Sequence, residues 1–253
     1  MKPETASVRV LIVDDEAPAR ALLREYLATH EDMVIVGECA NGFEAVRAIG
    51  EHAPDLVLLD VQMPKLDGFE VLELLEHLPC VVFVTAFDEY AVRAFDVHAV
   101  DYVLKPVGRE RLDRALAGAR ERLHAAPSSG APRAAALAAA ARGPGQHLAR
   151  VLVKDGSEVH VIPVARLDWL EAQDDYVALH VEGRTYLKTQ ALAELVAWLD
   201  PARFVRIHRS YAINLDRLAR LVLEAKDQRV VVLKDGKTLP VSRAGHARLR
   251  ELM

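Results

Sequence analysis

Five short apolar runs in the first half of the chain alternate with segments of helical periodicity. Strands and helices that alternate at this spacing are typical of a parallel sheet covered by helices on both faces. We therefore predict an N-terminal α/β unit with a doubly wound, five-stranded parallel sheet. Its strands are predicted at Val8–Val13, Val34–Cys39, Leu56–Leu59, Val81–Thr85 and Tyr102–Leu104. Its helices are predicted at Ala17–Thr29, Phe43–Ile49, around Phe69–Glu76, near Tyr90–Phe95, and at Arg111–Leu123.

Four of these apolar runs end in polar or charged side chains. The first is followed by Asp14 and Asp15, the third by Asp60 and the fifth by Lys105, and the fourth ends in Thr85. Sites in such sheets form where the carboxyl ends of the strands meet, so three carboxylates would repel one another there unless a cation neutralised them. Mg²⁺ suits a few carboxylates together with phosphoryl oxygens, and a lysine offers those oxygens a compact positive charge. The pattern predicts a site for Mg²⁺ and a phosphoryl group.

Other interpretations of this acidic set are weaker. A GTPase would need a GxxxxGK[ST] loop, and a haloacid-dehalogenase-like phosphatase would need the order DxDx[TV]; the sequence has neither. Taken alone, Asp14 could simply cap a helix or lie on a solvated loop, whereas the complete set argues against that interpretation. A cis Lys105–Pro106 bond would fix the approach of the lysine, although most X–Pro bonds are trans.

The ordered set of polar strand ends resembles a response-regulator receiver domain over about Arg9 to Leu123. This resemblance implies a flavodoxin-like fold in which a histidine kinase phosphorylates Asp60. The protein would then be a phosphoacceptor and not an enzyme, and any self-phosphorylation or autodephosphorylation would be incidental. The resemblance further implies Mg²⁺ binding by Asp14, Asp15, Asp60 and the backbone carbonyl of Gln62, phosphoryl-oxygen binding by Thr85 and Lys105, and a switch formed by Thr85 and Tyr102.

A segment rich in Ala, Pro, Ser and Gly follows the predicted α/β unit. Its small side chains bury little apolar surface, so residues 125–147 are predicted to be a linker, with a helical spacer at Ala134–Arg142. The predicted domains are therefore residues 1–124 and 148–253.

The second half of the chain changes to the short strands and turn signals of a mostly β domain. A hairpin is predicted about Asp155-Gly156, and a turn at Glu182-Gly183. Further strands are predicted at Leu167–Ala172, Tyr176–Val181, Thr185–Leu187, Phe204–Arg206, Leu221–Glu224, Val230–Leu233 and Thr238–Val241, with helices at Ala191–Leu199 and from Arg243 onward. The predicted core of this half includes Leu167, Trp169, Tyr186, Leu195 and Trp198.

Charge divides unequally between the two halves. Residues 1–125 carry 13 Lys+Arg and 23 Asp+Glu, whereas residues 126–253 carry 19 and 14. Such asymmetry hints at nucleic-acid binding by the basic half. The sequence lacks a helix-turn-helix pattern and zinc-finger cysteines, so a more common DNA-binding module is not indicated.

The second half is similar to the LytTR DNA-binding domain over about Arg150 to Met253. The resemblance rests on Leu170-Glu171-Ala172 with Tyr176, on the run Phe204–Tyr211, on Asn214 and on Val241-Ser242-Arg243. It implies a mostly β domain whose loops enter successive major grooves. Base reading would then fall to Arg209 and Arg243, with Tyr176 on a third contact loop. For Lys188 and His208, phosphate contact and a purely structural role stay equally open.

Together these features predict a two-component response regulator. The expected partners are a membrane-bound or soluble histidine kinase, double-stranded DNA with paired sites, a second copy after phosphorylation, and RNA polymerase. With no apolar run long enough to span a membrane and no secretory signal pattern, a cytoplasmic location is expected. Two alternatives stay open: a C-terminal protein-interaction module, and a phosphatase or phosphate sink whose turnover is the purpose.

Overall fold

The computed structural model describes residues 7–75, 77–86, 101–125, 147–156, 158–223 and 229–252. The chain divides into two compact units, residues 1–143 and 144–253. The domain limits at residues 124 and 148 stay predictions. The helices predicted near Tyr90–Phe95 and at Ala134–Arg142 lie outside the described residues, as does most of the predicted linker.

The first unit contains a five-stranded sheet in the order β2-β1-β3-β4-β5, and all its strand pairs are parallel. The predicted α/β fold is thereby confirmed. The strands are β1 (Val8–Val13), β2 (Met33–Cys39), β3 (Leu56–Leu59), β4 (Cys80–Thr85) and β5 (Asp101–Leu104). The described helices are α1 (Ala17–Leu27), α2 (Gly42–His52), α3 (Gly68–Glu73) and α4 (Arg109–His124).

The central strands are apolar on both faces because helices cover the sheet from both sides. All four residues of β3 are fully buried. Leu23 of α1 and Leu112 and Leu116 of α4 pack with Leu56 and Leu58 in one apolar core. Strands buried in this way hold their carboxyl ends in fixed positions, which is what a site built from those ends requires.

The second unit contains three antiparallel sheets. One has five strands in the order β10-β9-β8-β12-β11, one has three in the order β13-β14-β15, and the third is the hairpin β6-β7. Their bounds are β6 (Arg150–Asp155), β7 (Glu158–Pro163), β8 (Trp169–Gln173), β9 (Tyr176–Val181), β10 (Arg184–Thr189), β11 (Phe204–Arg206), β12 (Tyr211–Asn214), β13 (Leu218–Leu223), β14 (Arg229–Leu233) and β15 (Thr238–Val241). The helices are α5 (Leu192–Ala197) and α6 (Arg243–Leu252). The predicted mostly β fold is confirmed.

The five-stranded sheet buries side chains on both faces. Leu170 and Leu179 pack in one core with residues of the β6-β7 hairpin and α5. Trp169 and Ile213 belong to a second core, which includes residues of the three-stranded sheet and Leu249 of α6. Of the residues predicted to form the core, Leu167, Trp169 and Leu195 are buried, whereas Tyr186 and Trp198 are half-buried.

Strand β12 was not predicted from the sequence. Three of its four residues pair with β8 on one side and three pair with β11 on the other, so it is a central strand. Four residues give too short a run for an alternating pattern to be distinguished from a loop. Among the described helices, none has the length and apolar character that crossing a membrane requires.

Candidate functional site

Three aspartates converge at the carboxyl ends of β1 and β3. Asp14 and Asp15 follow β1 directly, and Asp60 follows β3, whose end is joined to β1 by the Asp60 N–H donating to Val13 O at 2.8 Å. Carboxylate oxygens of the three aspartates all lie within 4.8 Å of one another. Asp14 and Asp60 are 1% and 5% exposed, whereas Asp15 is exposed. Two of the three aspartates are therefore buried, and the third is open to solvent.

The ammonium of Lys105 lies within this cluster. Its Nζ is 2.8 Å from Asp60 Oδ2, 2.9 Å from Asp14 Oδ2 and 3.1 Å from Glu16 Oε2. The lysine follows β5, its backbone N–H donates to Thr85 O at 2.8 Å, and the Lys105–Pro106 bond is cis. One positive charge thus faces several carboxylates, and this imbalance leaves the pocket attractive to a further cation.

Burial and charge oppose each other in this pocket. Burial raises the pKa of the Asp14 carboxyl above its usual range, and the nearby Lys105 ammonium offsets this only in part. For Lys105, burial alone would lower the pKa, but hydrogen bonds and attraction from Asp60 and Asp14 outweigh it and raise the pKa. The ammonium is therefore charged throughout the physiological range, and a second cation beside Asp14 would lower the pKa of this carboxyl.

Two buried polar atoms of the pocket fit a metal ion and a phosphoryl group. Thr85 Oγ1 makes no hydrogen bond with any part of the chain that the structure describes, and Asp14 Oδ2 lies 2.9 Å from the Lys105 ammonium. Buried polar atoms are almost always satisfied, so the Thr85 hydroxyl is suited to a ligand, and the Asp14 oxygen can be shared between the ammonium and a metal ion. An aspartate oxygen suits Mg²⁺, and a hydroxyl can donate to a phosphoryl oxygen. The residues present therefore fit both groups.

The structure locates two more residues that the receiver resemblance implies, Gln62 and Tyr102. The Gln62 N–H donates to Asp60 Oδ1 at 3.2 Å, which sets the backbone of Gln62 beside the carboxylate. Its predicted carbonyl contact with the metal stays a prediction. Tyr102 is 6% exposed, and its ring centroid lies 6.3 Å from that of Phe83. The predicted switch aromatic is thus packed inward in this structure.

Three further residues shape the site and were not predicted. Besides Glu16, which reaches Lys105, Arg20 donates from Nη1 to Asp14 O at 2.7 Å and Asp15 O at 3.3 Å. A Cβ added to Gly68 would lie 2.5 Å from Asp60 O, so only glycine allows α3 to begin this close to the loop. Arg20 had a weak sequence signal, since it lies one turn into the helix that follows the acidic pair.

The second unit brings the predicted base-reading arginines into one neighbourhood. Arg209 lies on the loop between β11 and β12, and Arg243 is the first residue of α6. Ser242 joins the two segments, because its hydroxyl donates to Ile207 O at 3.0 Å. Both arginines are exposed, and neither guanidinium pairs with another described residue. Exposed, uncommitted guanidinium groups can reach base edges or phosphates.

The β8–β9 turn lies beside the Arg209 loop, since the Ala172 N–H donates to Ser210 O at 2.9 Å. Tyr176, which begins β9, is 46% exposed there. His208 is half-buried, and its Nδ1 accepts the Ser210 N–H at 3.2 Å. The imidazole thus has a structural role in the loop, and its phosphate contact stays a prediction.

Lys188, for which phosphate contact and a structural role were both left open, is buried in the structure. Its side chain is 9% exposed, and Nζ donates to Leu152 O of the neighbouring hairpin at 2.9 Å. An ammonium committed to a buried carbonyl is not available to a phosphate. Of the two roles left open for this lysine, the structure supports the structural one.

Comparison with known proteins identifies both units. Residues 10–117 match the response regulator receiver domain, and residues 157–253 match the LytTR DNA-binding domain. Transcriptional regulatory protein BtsR of Escherichia coli K12 is 36% identical over 250 residues, covering 96% of this chain and 98% of that protein. A response regulatory protein of Vibrio cholerae is 37% identical over 248 residues, covering 92% and 94%. The response regulatory domain of protein mrkE from Klebsiella pneumoniae, 34% identical, covers 46% of this chain and 97% of its own with a TM-score of 0.43.

The relatives match this chain along nearly its whole length, so the similarity spans both of the matched domains. The chain therefore belongs to the two-component response regulators that join a receiver domain to a LytTR DNA-binding domain.

Proposed function

We propose that Asp60 accepts a phosphoryl group from a histidine kinase and that this event controls DNA binding by the second domain. The observation that carries the first half of the proposal is the position of the Lys105 ammonium, 2.8 Å from Asp60 and 2.9 Å from Asp14. Together with the Thr85 hydroxyl, which has no hydrogen-bond partner among the described residues, it provides donors for negatively charged oxygens beside a carboxylate nucleophile.

In the proposed transfer, a carboxylate oxygen of Asp60 attacks the phosphorus of the kinase phosphohistidine. A new O–P bond forms as the P–N bond breaks, and its electron pair leaves with the imidazole. Lys105 and Thr85 then hold phosphoryl oxygens. Asp14, Asp15, Asp60 and the Gln62 carbonyl would hold Mg²⁺, which would supply positive charge to offset the charge build-up during transfer. Arg20 fixes the backbone carbonyls of the two metal-binding aspartates.

We further propose that the protein is a phosphoacceptor and not an enzyme. Asp60 is consumed in each transfer, and later hydrolysis of the acyl phosphate only resets it. Whole-length similarity to a transcriptional regulatory protein supports an output through DNA and not through turnover. A cytoplasmic location follows from the same reasoning, because both the DNA and the kinase's phosphorylated histidine must be accessible.

The DNA-binding half of the proposal assigns base reading to Arg209 and Arg243, with Tyr176 and His208 on adjoining segments. Phosphorylation adds about two negative charges at Asp60, and Thr85 and Tyr102 respond by shifting the population of receiver conformations. Pairing of two phosphorylated copies would set two basic domains on paired DNA sites about one helical turn apart. Bound in this way, the dimer would act on transcription through RNA polymerase.

The receiver half is tested with Asp60→Asn and, as a control that removes a carboxylate elsewhere on the same domain, with Glu51→Gln at the end of α2. Incubation with Mg²⁺ and an acyl phosphate should label the wild type and Glu51→Gln, and peptide mapping should place the label on Asp60. Asp60→Asn should take up no label. Undiminished labelling of that variant at another residue would overturn the assignment.

A further inference from the structure

The loop that carries Arg209 is held by side chains that bind its backbone carbonyls. Arg206, the last residue of β11, donates from Nη2 to Arg209 O at 2.7 Å and from Nε to His208 O at 3.4 Å. Arg206 is half-buried. Its guanidinium therefore bonds to two carbonyls of the loop, and one of them belongs to Arg209, the proposed base reader.

The first helical turn of α6 holds the same loop from the other side. The Ser242 N–H donates to Ile207 O at 2.9 Å, and the Ser242 hydroxyl donates to the same oxygen at 3.0 Å. A Cβ on Gly245 would lie 1.9 Å from that oxygen, so glycine is required for this approach. Arg248 completes the contact by donating from Nη1 to Arg206 O at 2.6 Å.

These bonds make the Arg209 loop and the start of α6, where Arg243 lies, a single hydrogen-bonded unit. The arginine fork has rigid, planar donors, whereas a lysine ammonium is a single point charge on a flexible stem. Lysine at position 206 would keep the charge but could not reproduce two fixed bonds to neighbouring carbonyls. Arg206 is thus suited to fix the direction in which Arg209 points.

We propose that Arg206 is a positioning residue for sequence recognition: it does not touch DNA, and it acts by holding the loop that presents Arg209. The proposal rests on the assignment of Arg209 as a base reader. Arg206 would thus differ from both kinds of arginine that contact DNA. Phosphate contacts give affinity without sequence information, and base contacts specify sequence.

The test uses full-length protein, a DNA site selected from a random library, and variants of that site with single base pairs changed. The protein variants are Arg206→Lys, Arg206→Ala, Arg209→Ala, the double variant with Arg206→Lys and Arg209→Ala, and the control Arg203→Lys. Arg203 lies three residues before Arg206 and pairs with Asp216 at 2.7 Å on the surface. Binding is measured over a range of salt concentrations for specific and non-specific DNA.

The expected result for Arg206→Lys is a loss of about tenfold in the ratio of specific to non-specific affinity, with an unchanged salt slope. The loss should fall on the base pair that Arg209→Ala also ceases to discriminate. The double variant should discriminate no worse than Arg209→Ala alone, because residues that act through one another are non-additive. Arg203→Lys should bind as the wild type does. If Arg206→Lys folds poorly, Arg248→Lys takes its place, because it removes a bond that holds the same loop from α6. It should show the same non-additivity with Arg209→Ala.

Undiminished discrimination in Arg206→Lys would overturn the proposal, and so would losses that add to those of Arg209→Ala. A salt slope reduced by about one in Arg206→Ala would instead identify a phosphate contact and also overturn it. Failure of the underlying function looks different: Arg209→Ala itself would then discriminate every base pair as well as the wild type.

Discussion

The two candidate sites of this chain differ in which of their groups are buried and which are exposed. In the receiver, the reactive groups are buried, with Asp14, Asp60 and Thr85 exposed by 1%, 5% and 0%. In the DNA-binding domain, Arg209 and Arg243 are exposed, and what is buried or bonded is the backbone beneath them. A transfer reaction needs charges in a dry, fixed arrangement, whereas base reading needs free side chains on a fixed backbone.

The difference also determines what stabilises each site. The receiver pocket crowds like charges, which one ammonium balances only in part and which a bound metal ion would balance further. In the second domain, backbone carbonyls of the Arg209 loop and of β11 are paired by Arg206, Ser242 and Arg248, so hydrogen-bond geometry holds this loop. Changes in the receiver pocket should therefore act through electrostatics, and changes around the loops through geometry.

The largest effect is expected at Lys105. Lys105→Ala should slow labelling of Asp60 by an acyl phosphate about 100-fold or more, because a fixed charged donor at the transferred group is removed. Lys105→Arg is the matched variant, since it keeps the charge but replaces a point charge by a planar fork. Initial labelling rates at saturating Mg²⁺ measure both. A wild-type labelling rate in Lys105→Ala would show that this lysine does not take part in phosphoryl transfer.

A smaller effect is expected at the exposed arginine of the second site. Arg209→Ala should weaken binding to the selected DNA site by about 1–3 kcal/mol, with little change on non-specific DNA. Titration by fluorescence anisotropy measures it, and Arg203→Ala, which removes an exposed, Asp216-paired arginine, is the control. Equal weakening on both kinds of DNA would contradict base reading and would indicate a phosphate contact.

Lys188 is a buried cation in the DNA-binding domain, so its replacement tests whether this lysine stabilises the fold or contacts DNA. Lys188→Met should lower the free energy of unfolding of this domain by about 1–2 kcal/mol, since Leu152 O loses its donor. The salt dependence of DNA binding should not change. Lys234→Met removes an exposed lysine for comparison. Urea unfolding and a salt titration measure the pair; a reduced salt slope in Lys188→Met would restore its DNA contact.

The smallest effect concerns the acidic pocket without metal. Because burial raises the pKa of Asp14 in the folded state, the native protein holds this proton more tightly than the unfolded chain. Ionisation of Asp14 should therefore reduce stability as pH rises from its unfolded pKa, about 3.9, through its raised folded pKa. Asp14→Asn should then stabilise the metal-free receiver by about 1 kcal/mol at neutral pH and much less near pH 3.

Urea unfolding at several pH values measures this effect, with the exposed Asp15→Asn as the companion variant. Saturating Mg²⁺ should stabilise the wild type more than Asp14→Asn, because binding to the folded state adds to its stability. If Asp14→Asn were less stable than the wild type at neutral pH without metal, attraction to Lys105 would outweigh burial and the electrostatic account of the pocket would fail.

Much of the fold and the receiver site could be predicted from the sequence, for a physical reason. In a parallel sheet, strand ends from distant parts of the chain meet at one edge, so Asp14, Asp60, Thr85 and Lys105 are brought together by topology alone. The side-chain contacts of Glu16 and Arg20 depend on rotamers and loop paths, which periodicity does not encode.

The DNA-binding domain was less predictable because one of its central strands, β12, is short and pairs with β8, which lies far from it in the sequence. Strand β12 is identified by its partners on both sides and not by its four residues. Lys188 is a polar residue in an edge strand, and only the position of the β6-β7 hairpin shows that its ammonium is buried. Polar residues inside β domains can be assigned only when the packing of neighbouring sheets is known.

The most direct test of the account is selection and sequencing of genomic DNA bound by the full-length protein, with Mg²⁺ and with or without an acyl phosphate. Wild-type protein and Asp60→Asn are compared. The account predicts enrichment of paired sites that the phosphoryl donor sharpens in the wild type and leaves unchanged in Asp60→Asn. Equal sharpening in both proteins, or no enrichment above non-specific background in either, would contradict it.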